Sequence, residues 1–187
     1  MNTARDVLQF WFGDVPGGRR KEWFVKDPAF DAEIRTRFLD LHEAAARGEL
    51  ADWKDAAEAA LALIVLTDQF PRNMFRGEAR AFATDSLALA SAQHVIASGW
   101  DATMRPVERM FVYLPYEHSE VLTDQERSLQ LFEPLGVFEE TKDTPDYARR
   151  HWEIVKRFGR FPHRNVALGR PGTAEEIEFL KQPGSGF

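Results

Sequence analysis

Apolar residues along this chain recur every three to four positions and never in sustained alternation, the pattern of helices packed on helices rather than of strands. The clearest stretch follows Asp27-Pro28, a cap with proline at the first helical position, where Phe30, Ile34, Phe38, Leu41 and Ala45 share one face until Gly48. Thr3 and Asp6 open a shorter helix that carries Val7, Leu8, Trp11 and Phe12 to a stop at Gly13. Residues 14–20 are a turn-rich connector. A third helix is expected from Asp52 or Trp53 to Phe70, apolar on every face over residues 59–66 and ended by Pro71. Thr84 or Asp85 caps the next, which stops at Gly99, and Pro106 opens another, interrupted at Pro115. Thr123 with Glu126 reads as a capping box for a helix ending at Gly136. Thr144-Pro145 starts one that ends at Gly159, and Thr173 with Glu176 opens a terminal helix.

About eight helices joined by short connections predict an all-α fold, an array of antiparallel helical hairpins of tetratricopeptide-like character. No linker divides residues 1–187, so a single domain is expected, with residues 182–187 as a loose tail. Leu63, Ile64, Leu66, Phe70, Phe111, Leu114, Phe158 and Phe161 are the expected core.

Composition narrows the chemistry. The chain has no cysteine, which removes thiolate metal sites, disulfides and a thiol nucleophile. That absence, together with an N-terminus lacking an apolar leader-type stretch, leads to the expectation of a cytoplasmic protein. The longest apolar run is far short of the roughly 20 residues that span a bilayer, so no membrane partner is expected. The net charge of −6 disfavours indiscriminate nucleic-acid binding. It is nevertheless uneven: between positions 149 and 170 seven Lys or Arg stand against Glu153 alone, enough for a local anion site.

Two segments share a Phe-Pro followed by Arg-Asn: Asp68-Gln69-Phe70-Pro71-Arg72-Asn73 and Gly159-Arg160-Phe161-Pro162-His163-Arg164-Asn165. As helix stops they need only the proline and an asparagine tolerant of left-handed backbone. A stop needs no arginine, however, and both copies carry one, with Arg76 near the first and Arg160 and Arg170 near the second. Guanidinium forks fit carboxylate or phosphate, so two such corners facing each other would form an anion site. The third segment, Tyr113-Leu114-Pro115-Tyr116-Glu117-His118-Ser119-Glu120, holds the best catalytic candidates, His118, Glu117 and Glu120. Adjacent residues on a helix diverge by about 100°, so Glu117 and His118 serve one substrate only if the backbone is irregular there. No His-Glu-x-x-His pair exists and the separations of His118, His151 and His163 are not those of helical metal ligands, so no metal and no cofactor is expected. His42 and His94 are expected at the surface.

These three segments, in this order, resemble the bacterial "domain of unknown function 924" family, over nearly the whole chain from Trp11-Phe12 to Glu175-Glu176. The resemblance implies an all-helical fold similar to tetratricopeptide-type hairpins and implies no established activity.

Two functional readings remain open. In one, Asp68, Arg72, Asn73, Arg76, His151, Arg160, His163, Arg164 and Asn165 gather with the Glu117 to Glu120 segment around a small anionic molecule. In the other, a helical scaffold binds a peptide or protein partner and the motifs only lock its corners. Oligomeric state is not legible here.

Overall fold

The computed structural model describes residues 2–13 and 18–186. Residues 14–17 of the expected connector and Phe187 of the expected tail lie outside the described residues. The order is α1 (Ala4–Phe12), α2 (Pro28–Ala46), α3 (Ala57–Ile64), a π turn (Val65–Gln69), α4 (Phe70–Met74), α5 (Asp85–Ala97), α6 (Pro106–Glu117), α7 (Leu122–Phe132), α8 (Thr144–Phe158) and α9 (Ala174–Phe179), linked partly by 3-10 turns. Since α3, the π turn and α4 run on without a break, these make eight continuous helical segments among the described residues, and no strand.

Local signals set most of the ends. Thr3 and Asp6 form the reciprocal capping box of α1, and Asp27 accepts from the Ala29 and Phe30 amides at the start of α2. Gly159 ends α8 at φ +69°, a left-handed conformation that disfavours a side chain. Helix α3 packs on α1, α5 and α6, which explains its apolar composition on every face, with Ala60, Leu61, Ala62, Leu63 and Ile64 all buried. The main core joins Val7, Trp11, Ile34, Phe38, Leu66, Phe70 and Phe111; a smaller cluster of Ile154, Val155 and Phe161 lies under α8, with Phe158 and Phe179 against it. Of the expected core, Leu114 and Phe158 are half-buried and the rest buried. No helix among the described residues is long and apolar enough to cross a membrane.

Several expected boundaries are displaced. Pro71 does not end its helix, because the two carbonyls that this stretch orphans find distant partners. The Phe70 amide reaches back five residues to the Val65 carbonyl, and Pro71 has no N–H to offer. The Leu66 carbonyl accepts instead from His42 Nδ1 at 3.0 Å, and the Thr67 carbonyl from the Thr84 hydroxyl at 2.6 Å. His42 is therefore a buried structural residue rather than a surface one, and its burial lowers its proton affinity. Thr84 spends its hydroxyl on this carbonyl and makes no side-chain cap for α5. Pro115 also sits inside its helix, buried, with the ladder closing again where the His118 amide meets the Leu114 carbonyl at 2.8 Å. Helix α7 begins at Leu122, ahead of the expected Thr123–Glu126 box, and has no side-chain cap. Asn165 is right-handed at φ −58°, and among the described residues only glycines have positive φ, so neither Arg-Asn pair works as a left-handed stop. The described part of the tail is tied down, since Arg150 donates to the Gly184 carbonyl and Ser185 is buried.

Candidate functional site

The π turn holds Asp68 with no exposed surface. Its Oδ1 accepts from His118 Nδ1 at 2.8 Å and lies 3.3 Å from Arg72 Nη1; its Oδ2 accepts from Gln69 Nε2 at 2.5 Å. Burial opposes the charge, but the Arg72 guanidinium and the His118 bond outweigh it and hold the Asp68 carboxyl well below the usual range. Since a carboxylate only accepts, His118 Nδ1 carries the ring proton and Nε2 is left as an acceptor, with no hydrogen-bond partner among the described residues. Burial, then the Arg72 charge, keeps this imidazole neutral by lowering its proton affinity.

The two Phe-Pro corners meet on a residue that reads in the sequence as a helix cap. Arg72 grips both oxygens of Asp85 at 2.8 and 3.0 Å, and Arg164 Nη1 approaches Asp85 Oδ2 at 3.4 Å. Arg164 is buried, its guanidinium carbon over the rings of Phe82 at 4.7 Å and Phe161 at 4.5 Å. Burial and the neighbouring Arg72 charge pull it down to about 10.

Glu117 and His118 do diverge. Helix α6 stays helical to its end, so His118 turns to Asp68 while Glu117 turns to α8, its Oε1 3.2 Å from His151 Nδ1. That nitrogen also lies 2.9 Å from the Tyr147 carbonyl, so it carries the proton and donates. Glu117 is thus a buried carboxyl facing a neutral imidazole. Burial, then the Asp68 charge, pushes it up to about 8, so it is mostly protonated at neutral pH, and its Oε2 has no hydrogen-bond partner among the described residues. The His118 and His151 rings are 6.3 Å apart, and the Phe161 ring sits between those of His151 and His163, 5.6 Å from each. Burial and the Arg164 charge bring His163 down to about 4. Asp68, Arg72, Glu117, His118, His151, His163 and Arg164 are therefore together. Among the described residues, no three His, Asp or Glu side chains converge as a metal site.

The other expected site residues go elsewhere. Glu120 accepts from the Phe161 amide at 2.7 Å and from both Arg170 terminal nitrogens at 2.6 and 2.9 Å. Arg170 Nε donates to Asn165 Oδ1, Asn165 donates to Glu176, and Glu176 takes the Arg160 fork and the Thr173 amide. This clasp is continuous with the central cluster through Phe161 and is satisfied throughout. Asn73 and Arg76 point away, both onto Asp31 of α2. Asp85, Phe82 and Glu176 were not foreseen: a carboxylate in the first turn of a helix reads as a capping residue, and no local pattern marks it as the meeting point of two arginines. A separate open groove of about 820 Å³ lies along α1 and α2, where Arg20 is used by the Phe10 and Trp11 carbonyls and Arg37 by Glu33.

The model of the family described as "Bacterial protein of unknown function (DUF924)" matches residues 7–184. A solved structure of a protein of unknown function from Agrobacterium tumefaciens is similar at 45% identity and a TM-score of 0.87, covering 95% of this chain and 96% of that one. No curated protein matches the chain. With its three polar motifs in order, an all-helical fold and a family model spanning nearly its whole length, the chain belongs to the DUF924 family of bacterial proteins of unknown function.

Proposed function

We propose that the central cluster is a binding site for a small anionic molecule, with His118 as the group that exchanges a proton with it. One observation carries this reading: Arg164 Nε, a buried donor at the cluster, has no hydrogen-bond partner among the described residues, while the adjoining clasp is satisfied. An unpaired buried polar group costs about 1–3 kcal/mol and is rarely kept without use. The Asp68–His118 pair adds chemistry, because a carboxylate on Nδ1 fixes the ring and its tautomer and leaves Nε2 to accept or return a proton. Arg164, whose only carboxylate contact among the described residues is the 3.4 Å approach to Asp85, supplies N–H donors beside it.

The test is the response of the melting temperature to acetate, glycolate, inorganic phosphate and sulfate at matched ionic strength. At least one should raise Tm saturably, and His118→Ala should weaken that rise beyond its cost to the ligand-free protein. No response to any of the four, or a response indifferent to His118→Ala, removes the reading.

A further inference from the structure

The arginines of the two corners and the clasp differ in one respect. Arg76 gives Nε and Nη2 to Asp31 at 2.5 and 2.8 Å, and Arg160 gives the same edge to Glu176 at 2.6 and 2.8 Å. Arg72 and Arg170 give both terminal nitrogens to the two oxygens of Asp85 and Glu120. Each of these four forks closes on a carboxylate of the chain itself. Arg164 has only the 3.4 Å approach of Nη1 to an Asp85 oxygen that Arg72 already holds. Its Nε is buried without a partner, and its Nη2 makes no hydrogen bond among the described residues. The rings of Phe82 and Phe161 border the guanidinium, so the Nε–Nη2 edge is its remaining polar direction.

We infer that the ligand is a small, singly charged carboxylate seated bidentately on the Nε–Nη2 edge of Arg164. This rests on the anion-site reading above and names the ligand class. The geometry is the one the chain uses at Arg76 and Arg160, two parallel N–H donors to the two oxygens of one carboxylate. Charge selects against a phosphate dianion. Arg72 and Arg164 are matched by Asp68 and Asp85, so each further negative charge is uncompensated, and a carboxylate adds one where phosphate adds close to two. Glu117, protonated and with Oε2 unpaired, repels an incoming carboxylate least of any acidic group at the cluster. Burial, then the Arg72 charge, lowers the proton affinity of Arg164, and the 3.4 Å approach of Asp85 does not offset them.

Titration calorimetry with acetate and glycolate against inorganic phosphate and sulfate, at matched ionic strength, tests this on the wild type and on Arg164→Lys, which keeps the charge and removes the fork. Wild type should bind the carboxylates, and Arg164→Lys should lose about tenfold or more in their affinity, as expected for two charge-assisted hydrogen bonds reduced to one or none. Unchanged carboxylate affinity in Arg164→Lys overturns the inference. Binding of phosphate or sulfate alone, sensitive to His118→Ala, also overturns it and leaves the anion site standing; no binding by any of the four removes both. Should the variant fail to fold, the Arg164 Nε–H resonance of the 15N-labelled wild type replaces it. A shift on titration with glycolate supports the seat, and a resonance unmoved at saturation overturns it.

Discussion

The clasp and the central cluster are built from the same residue types a few ångströms apart, yet they differ in how completely their polar groups are paired. In the clasp, Glu120 and Glu176 each take an arginine fork and a backbone amide, and Asn165 joins the two halves by its own donor and acceptor. Burial opposes ionisation of Glu120, but the Arg170 bonds prevail and keep it below its ordinary value, and the Arg160 bond brings Glu176 down to about 2. In the cluster, one carboxyl is forced neutral, one guanidinium lacks a close counter-ion and one imidazole presents a bare acceptor. Saturated pairing in the partly exposed clasp fixes the path of the chain; unsaturated pairing around the buried Arg164 leaves capacity for a ligand.

The variant with the largest expected effect strikes both regions at once. The backbone of Phe161 bonds to Glu120 and Arg170, its ring packs on His151 and Arg164, and it has no exposed surface. Phe161→Ala should cost about 3–5 kcal/mol in urea unfolding. A cost below measurement error would mean that neither region depends on that ring.

Next is a variant confined to the clasp. Glu176→Ala removes the acceptor of Arg160, Thr173 and Asn165 and should destabilise by about 2–3 kcal/mol, with any anion-induced rise in Tm preserved. Loss of the anion response with little loss of stability would invert the roles of the two regions.

A third effect depends on pH. Glu117 is raised from 4.5 to about 8, so the folded state holds a proton that the unfolded state has released between those values. Its contribution to stability therefore falls as pH rises from about 4.5 to about 8 and is level above that. Glu117→Gln mimics the protonated group, so its stability relative to wild type should climb steadily across this window and level off above it. A difference that does not vary with pH would show that Glu117 ionises normally. The smallest effect is that of Arg164→Lys on the ligand-free protein, about 1–2 kcal/mol in urea unfolding, because the guanidinium's contacts with the Phe82 and Phe161 rings are lost but no short hydrogen bond is.

Much of the fold is legible from local chemistry, since the Thr3, Asp27 and Thr173 caps and the Gly13 and Gly159 stops all work as their residue types dictate. The exceptions depend on distant partners. Pro71 is compatible with a continuing helix only because His42 and Thr84, far away in sequence, take the orphaned carbonyls. The three polar segments gather at Asp68, His118 and Arg164, but the two arginines of the corners do not face an open anion site, because Asp85 stands between Arg72 and Arg164. Asn73 and Arg76 look like site residues by the same motif that carries Arg72. Asn73 lies about 100° round the helix from Arg72 and Arg76 follows the end of α4 at Met74, and both reach Asp31 of α2, a choice that nothing in the motif encodes.

The most direct measurement is a crystal structure of the protein grown with saturating glycolate. The expected result is a carboxylate accepting from Nε and Nη2 of Arg164 at about 2.8–3.0 Å, with the clasp unchanged. Glycolate absent from the cluster or bound only in the α1–α2 groove, with ordered waters pairing Glu117 Oε2 and Arg164 Nε, would contradict it.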